Sequence, residues 1–127
     1  MFLPQNPALS RASGGTLQWR PRAPYGVDLR LLGMALELLA GAEECLERAA
    51  DQHAAAHIAA AVATIGEFRA DLDLHIANPV TAHLDDLCEY VIRLLGLAQR
   101  QCRREPLLEV YGLLHEVRAA WVTLSHV

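Results

Sequence analysis

The chain has 127 residues, of which 53% are hydrophobic and 6% aromatic, and its formal net charge is -4. This length fits one domain with a core of its own, and apolar mass carried by Leu, Ala, Val and Ile favours helix packing over a sheet. The mildly acidic balance argues against a nucleic-acid-binding protein, which needs a basic face.

The first 25 residues show no apolar periodicity and are rich in proline and glycine. This composition is typical of an extended arm. We therefore expect a flexible N-terminal arm over residues 1–25, dispensable for folding, and a helical domain over residues 26–127. The residues that mark the arm are Pro4, Pro7, Gly14, Gly15, Pro21 and Pro24.

Two helices are predicted in the first half of the domain, because apolar residues recur there at steps of three and four. The first has two adjacent rows: Leu29, Leu32, Leu36, Leu39 and Leu46, beside Leu31, Ala35, Leu38, Ala42, Cys45 and Ala49. The second has one row: Ile58, Ala61, Ile65, Phe68, Leu72 and His75. Its alanine-rich first half implies close approach to a neighbouring helix, and Asn78-Pro79 is expected to end it or separate it from the next helix.

Two further helices are predicted after Pro79. The third starts near Val80, with a seam of Leu84, Leu87, Val91, Leu94 and Ala98. The fourth has Pro106 in its first turn and a row of Leu107, Val110, Leu114, Val117, Trp121 and Leu124. Because short connections make consecutive helices antiparallel, the predicted fold is all-α, an antiparallel up-and-down four-helix bundle with an extended N-terminal arm.

The third helix has more apolar residues than a seam between two neighbours uses. Cys88, Ile92, Leu95 and Leu97 are apolar in addition to the seam, and the first helix has a similar surplus. These residues either pack within the bundle, lie under the arm, or leave a groove for a partner helix. The pattern leaves these alternatives open.

Motifs of catalysis and metal binding are not found. His53 and His57 share a helix face but have no third ligand, and no histidine has Glu or Asp three residues before it, as a di-metal bundle requires. The odd number of cysteines, with no C-x-x-C pair, favours reduced core thiols. We therefore expect no enzyme activity, no metal and no cofactor.

No stretch is apolar for long enough to cross a bilayer, and the N-terminus does not read as a signal peptide. We expect a cytoplasmic protein without membrane insertion.

Three segments carry recognisable motifs. They occur in the same order as in one known family, and aligning all three with that family needs no insertion or deletion. Residues 65–73, IGEFRADLD, are similar to I-x-E-L-x-x-x-L-D. Residues 84–93, LDDLCEYVIR, resemble L-x-x-L-Y-x-Y-M-x-R. Residues 113–121, LLHEVRAAW, are similar to L-L-x-E-L-R-x-A-W. Together with a weaker likeness from Pro24 to Leu39, these segments resemble the FliS family of flagellar export chaperones.

The resemblance implies a cytoplasmic chaperone that binds the disordered C-terminal segment of flagellin and prevents premature polymerisation before secretion. The flagellar export apparatus is a further implied partner. The residues expected to contact the partner, some of which must face the core instead, are Leu32, Ala35, Leu36, Leu39, Leu84, Leu87, Cys88, Val91 and Leu95.

Two departures from the family pattern bear on the partner. The Tyr-Asp-Gly of the family's first helix is Leu32-Gly33-Met34 here, and the first Tyr of the third-helix motif is Cys88. They leave open a divergent paralogue with different cargo. They also leave open a self-associating structural or regulatory bundle that forms a homodimer.

Overall fold

A computed structural model of the chain describes residues 26–72 and 79–125, with side chains described as far as residue 123. The predicted arm over residues 1–25 lies outside the described residues. So does His75 of the second predicted row, and the side chain of Leu124 in the fourth.

The described residues form four helices and no strand. α1 runs over Leu29–Glu47, α2 over Asp51–Asp71, α3 over Pro79–Gln101 and α4 over Arg104–Ser125. The predicted all-α fold is confirmed. α2 ends at Asp71, before Asn78-Pro79, because Leu72 adopts an extended backbone (ψ 139°).

The helices pack in a ring, in which α1 and α3 each lie between α2 and α4. Side-chain contacts fix the direction of α2 and α3. Arg69, near the end of α2, is paired with Asp85, near the start of α3, while Gln99, near the end of α3, donates to the carbonyl of Ala55, near the start of α2. These two helices are therefore antiparallel.

The same reasoning applies to α1 and its neighbours. Arg104 at the start of α4 forms ion pairs with Glu43 and Glu47 near the end of α1. α1 also approaches α2 closely, because a Cβ atom at Gly41 would lie 2.8 Å from Cδ2 of His57. The predicted close approach of α2 to a neighbour and the antiparallel up-and-down arrangement are both confirmed.

Local signals explain several helix ends. The carboxylate of Asp28 accepts a hydrogen bond from the amide of Arg30 at 3.0 Å and caps the start of α1. Pro79 begins α3, and Pro106 lies in the first turn of α4 as predicted.

The ends of α1 and α3 use left-handed residues that are not glycine. Ala49 (φ 57°) follows α1 and Cys102 (φ 51°) follows α3. The amide of Ala50 donates to the carbonyl of Cys45 at 2.8 Å and closes the α1 terminus. A side chain with a Cβ atom is strained at such a φ.

The core lies between the four helices and follows the predicted rows of α2 and α4 closely. Its members in this part of the bundle are Ile58, Ala61, Ile65 and Phe68 of α2, Leu72 directly after α2, and Leu107, Val110, Leu114 and Trp121 of α4. Both apolar rows of α1 contribute, with Leu31, Leu32, Ala35, Leu36, Leu39 and Ala42.

The predicted seam of α3 was wrong at two positions. Cys88 (2% exposed) and Leu95 (0% exposed) belong to the core, whereas Leu87 and Leu94 are half-buried beside it. The sequence pattern placed Leu95 outside the seam. In the structure it is a core residue.

Candidate partner-binding surface

The structure places most of the expected contact residues inside the bundle. Leu87 is half-buried and the other eight are buried: Leu32, Ala35, Leu36, Leu39, Leu84, Cys88, Val91 and Leu95. In this arrangement a partner reaches the buried eight only if helices separate. Their role in binding stays a prediction.

The apolar surplus of α3 exists, but of the residues expected to form it only Leu97 belongs to the row described next. Leu87, Tyr90, Leu94 and Leu97 recur at steps of 3, 4 and 3, so they lie along one edge of the helix. Tyr90 is 39% exposed and the three leucines are half-buried. We call this row the α3 stripe.

A hydrogen bond fixes the middle of the α3 stripe against α4. The hydroxyl of Tyr90 donates to Oε2 of Glu109 at 2.5 Å. This hydrogen bond to a carboxylate raises the pKa of Tyr90 above its ordinary value. The phenol ring is thereby held at the surface between α3 and α4, with its polar end already satisfied.

An ion pair fixes the other side of α3 against α2. Nε and Nη2 of Arg69 lie 2.6 and 3.2 Å from the two carboxylate oxygens of Asp85. The hydrogen bond from Arg69 lowers the pKa of the Asp85 carboxyl. The same hydrogen bond raises the pKa of the Arg69 guanidinium. Two-point pairing of this kind sets the orientation of the start of α3.

Cys88 lies in the core next to this ion pair and has none of the properties of a nucleophile. Burial raises the pKa of its thiol to about 11, although Arg69 acts in the opposite direction. The thiol is therefore protonated near neutral pH, and the thiolate needed for nucleophilic attack is scarce.

Other residue clusters do not form sites in the described part of the chain. No group of three or more His, Cys, Asp or Glu side chains there could hold a metal ion. Nδ1 of His57 lies 2.8 Å from the carbonyl oxygen of His53, so that nitrogen is engaged by backbone. The helices of the described ranges are too short or too polar to cross a membrane.

The sequence of the bundle matches known proteins over most of its length. Residues 22–127, which include all four helices, match the family described as flagellar protein FliS. The chain belongs to the FliS family. It is also 33% identical over 103 residues to the flagellar secretion chaperone FliSB of Pseudomonas aeruginosa, a match that covers 81% of this chain and 82% of that protein.

The residues that depart from the FliS motifs lie partly in the core and partly at the surface. Leu32 and Cys88 are buried in the core, Gly33 is half-buried, and Met34 is 43% exposed. The substitutions at positions 32 and 88 therefore change core packing in the free chain. Tyr90, the second Tyr of the third-helix motif, is retained and stands on the α3 stripe.

Sequence reasoning missed the α3 stripe although its signal was present. Apolar residues occur at 87, 88, 91, 92, 94, 95, 97 and 98, which fits two seams one residue apart. Only the positions of α2 and α4 decide which seam is buried.

Proposed function

We propose that this FliS protein is a cytoplasmic export chaperone that binds the disordered C-terminal segment of flagellin and prevents its premature polymerisation before secretion. The family match over residues 22–127 carries the proposal. The name of the Pseudomonas relative, a flagellar secretion chaperone, supports it. The family is one of chaperones rather than enzymes, and the flagellar export apparatus is a further partner of the proposal.

The α3 stripe supplies a contact surface suited to such cargo. A segment that is disordered when free must bury apolar surface to offset the entropy lost on ordering. The partly exposed side chains of Leu87, Tyr90, Leu94 and Leu97 extend over about three helical turns. A flagellin segment laid along them would complete their burial without moving the core.

Cargo binding through the buried residues is a distinct form of the proposal. It requires α3 to separate from its neighbours, which would expose the Cys88 thiol. Thiol labelling of the flagellin-bound chain therefore distinguishes the two forms. Unchanged protection of Cys88 is the result expected if the core stays closed and cargo lies on the surface, whereas labelling accelerated by cargo would indicate that the core opens.

The identity of the cargo is tested with two forms of flagellin. Full-length flagellin and flagellin lacking its C-terminal segment are each mixed with the purified chain and separated by size-exclusion chromatography with light scattering. We expect a complex with the full-length protein only, and suppressed filament growth in its presence. Equal binding of both forms, or none, contradicts the proposal.

The same light-scattering measurement tests the alternative of a self-associating bundle. A stable homodimer that does not bind flagellin would favour a structural or regulatory role for this chain.

A further inference from the structure

Tyr90 is the aromatic residue of the α3 stripe, and its side chain crosses from α3 to α4. It starts on α3 and is 39% exposed, while its hydroxyl reaches Oε2 of Glu109 on α4 at 2.5 Å. Leu94 follows Tyr90 by one turn on α3, and Leu113 follows Glu109 by one turn on α4. Both leucines are half-buried and pack against the core. The ring therefore extends the α3 stripe towards α4.

The carboxylate of Glu109 has the Tyr90 hydroxyl as its partner and takes part in no ion pair. Within the described ranges, no Lys, Arg or His side chain lies within 4 Å of it. A short hydrogen bond to an ionised acceptor is stronger than one between neutral groups. This hydrogen bond joins α4 to the exposed part of the α3 stripe and to no buried group.

Holding the ring before cargo arrives has a consequence for affinity. An exposed tyrosine with no bonded partner exchanges between rotamers, and a binding partner that packs against it must stop that exchange. Immobilising a side chain on binding weakens affinity, and a side chain that is already held avoids this loss. Tyrosine is also among the residue types that contribute most to binding at protein interfaces.

We infer that Glu109 is a positioning residue for cargo binding. It holds the Tyr90 ring in the orientation in which the α3 stripe receives flagellin, and it acts through the Tyr90 hydroxyl rather than by contacting cargo. The inference rests on the proposed function, since it takes flagellin to lie on the α3 stripe. It adds a residue of α4 to a site that is otherwise formed by α3.

The first measurement uses the free chain, without flagellin. Three-bond NMR couplings from Cγ of Tyr90 to its backbone nitrogen and carbonyl carbon report the χ1 rotamer. We expect one rotamer in the native chain and in Glu109→Gln, whose amide oxygen still accepts a hydrogen bond. Glu109→Ala should show averaged couplings. A single rotamer in Glu109→Ala, or averaging in the native chain, would overturn the inference.

The second measurement is calorimetric titration of the C-terminal segment of flagellin into each variant. Glu109→Ala and Tyr90→Phe should each weaken binding about three- to tenfold, which corresponds to immobilising one side chain. Glu109→Gln should stay within about twofold of the native chain, because the acceptor is kept. Combining Glu109→Ala with Tyr90→Phe should cause no further loss, since the hydroxyl through which Glu109 acts is already absent.

Glu116→Ala is the matched control. Glu116 lies two turns after Glu109 on the same edge of α4, is exposed, and takes part in no ion pair within the described ranges. Its replacement changes the net charge by the same amount, and flagellin affinity should stay at the native value. Urea midpoints of all variants should agree within about 0.5 M, because every changed group is exposed.

Four results would overturn the inference and leave the proposed function standing. They are native affinity in Glu109→Ala, a further loss in the double variant, an equal loss in Glu116→Ala, and a loss in Glu109→Gln as large as that in Glu109→Ala. If Glu109→Ala does not fold, Tyr90→Phe decides, because it removes a single hydroxyl: native affinity refutes the inference. No binding of the segment by the native chain would overturn the proposed function and the inference together.

Discussion

Leu95 and Leu97 stand two residues apart on α3, and the structure predicts very different consequences for shortening them. Leu95 is 0% exposed in the centre of the bundle, whereas Leu97 is half-buried on the α3 stripe. Truncating a buried leucine to alanine removes its transfer free energy and leaves a cavity, which together cost about 2–5 kcal/mol. Substitutions away from the core usually change stability by about 0.5 kcal/mol.

These magnitudes predict a clear difference in urea. A domain of this size is stable by about 5–15 kcal/mol, so Leu95→Ala should still fold. With a denaturant slope of about 1–3 kcal/mol per molar, a loss of about 3 kcal/mol lowers the unfolding midpoint by about 1–3 M. Leu97→Ala should move it by less than about 0.5 M.

Circular dichroism at 222 nm as a function of urea measures both midpoints, and equal slopes show that the unfolded states are comparable. Equal midpoints for the two variants, or a loss below about 1 kcal/mol for Leu95→Ala, would refute the placement of the α3 core row.

Three further predictions follow from single residues. Exposed Cys102 should react with iodoacetamide within minutes at pH 8. Burial raises the pKa of Cys88 to about 11, so Cys88 should react only when the chain unfolds. Comparable rates for the two cysteines, measured by mass spectrometry, would contradict the burial of Cys88. Arg69 lowers the pKa of Asp85, so Asp85→Asn should be less stable than the native chain, with the full difference present above a pH of about 4. The difference should vanish as the pH falls through the lowered pKa of Asp85. Urea titrations measure it, and a difference that grows on acidification would be inconsistent with the ion pair. Ala49→Gly and Cys102→Gly should each stabilise the fold by about 0.5–1 kcal/mol, since glycine adopts positive φ without strain; a lower melting temperature for both would argue against the left-handed caps.

Much of the fold could be predicted because it depends on local pattern. Along α2 and α4 the apolar residues fit only one helix face, so residues such as Ile65 and Leu114 were placed in the core correctly. Pro106 marked the first turn of α4 for a steric reason that does not depend on the rest of the protein.

The failures occurred where the answer depends on distant residues. α3 has two adjacent seams, and the choice between Leu94 and Leu95 is made by helices that are separate in sequence. The left-handed caps at Ala49 and Cys102 lack the glycine that usually signals them. Asn78-Pro79 was expected either to end α2 or to separate it from the next helix. α2 ends at Asp71, seven residues before Asn78, so its end does not depend on this pair, which restricts only the residue before the proline.

The expected contact residues do not form an exposed surface in the free chain, and the sequence could not show this for the same reason. Eight of the nine are buried. On a helix with a wide apolar face, the sequence pattern is the same for a residue that packs in the core and for one that binds a partner. Exposure separates the two, and it depends on how all four helices are placed.

The central claim, that the α3 stripe holds the C-terminal segment of flagellin, is tested most directly by calorimetric titration of that segment into three forms of the chain. Leu97→Asp removes about half of a leucine burial worth about 1.5–3 kcal/mol and places a charge against the cargo, so affinity should fall at least tenfold, or about 1.4 kcal/mol. Met34→Asp, an exposed apolar position on α1, should bind as the native chain does. Native affinity in Leu97→Asp with its fold intact, or an equal loss in Met34→Asp, would contradict the account.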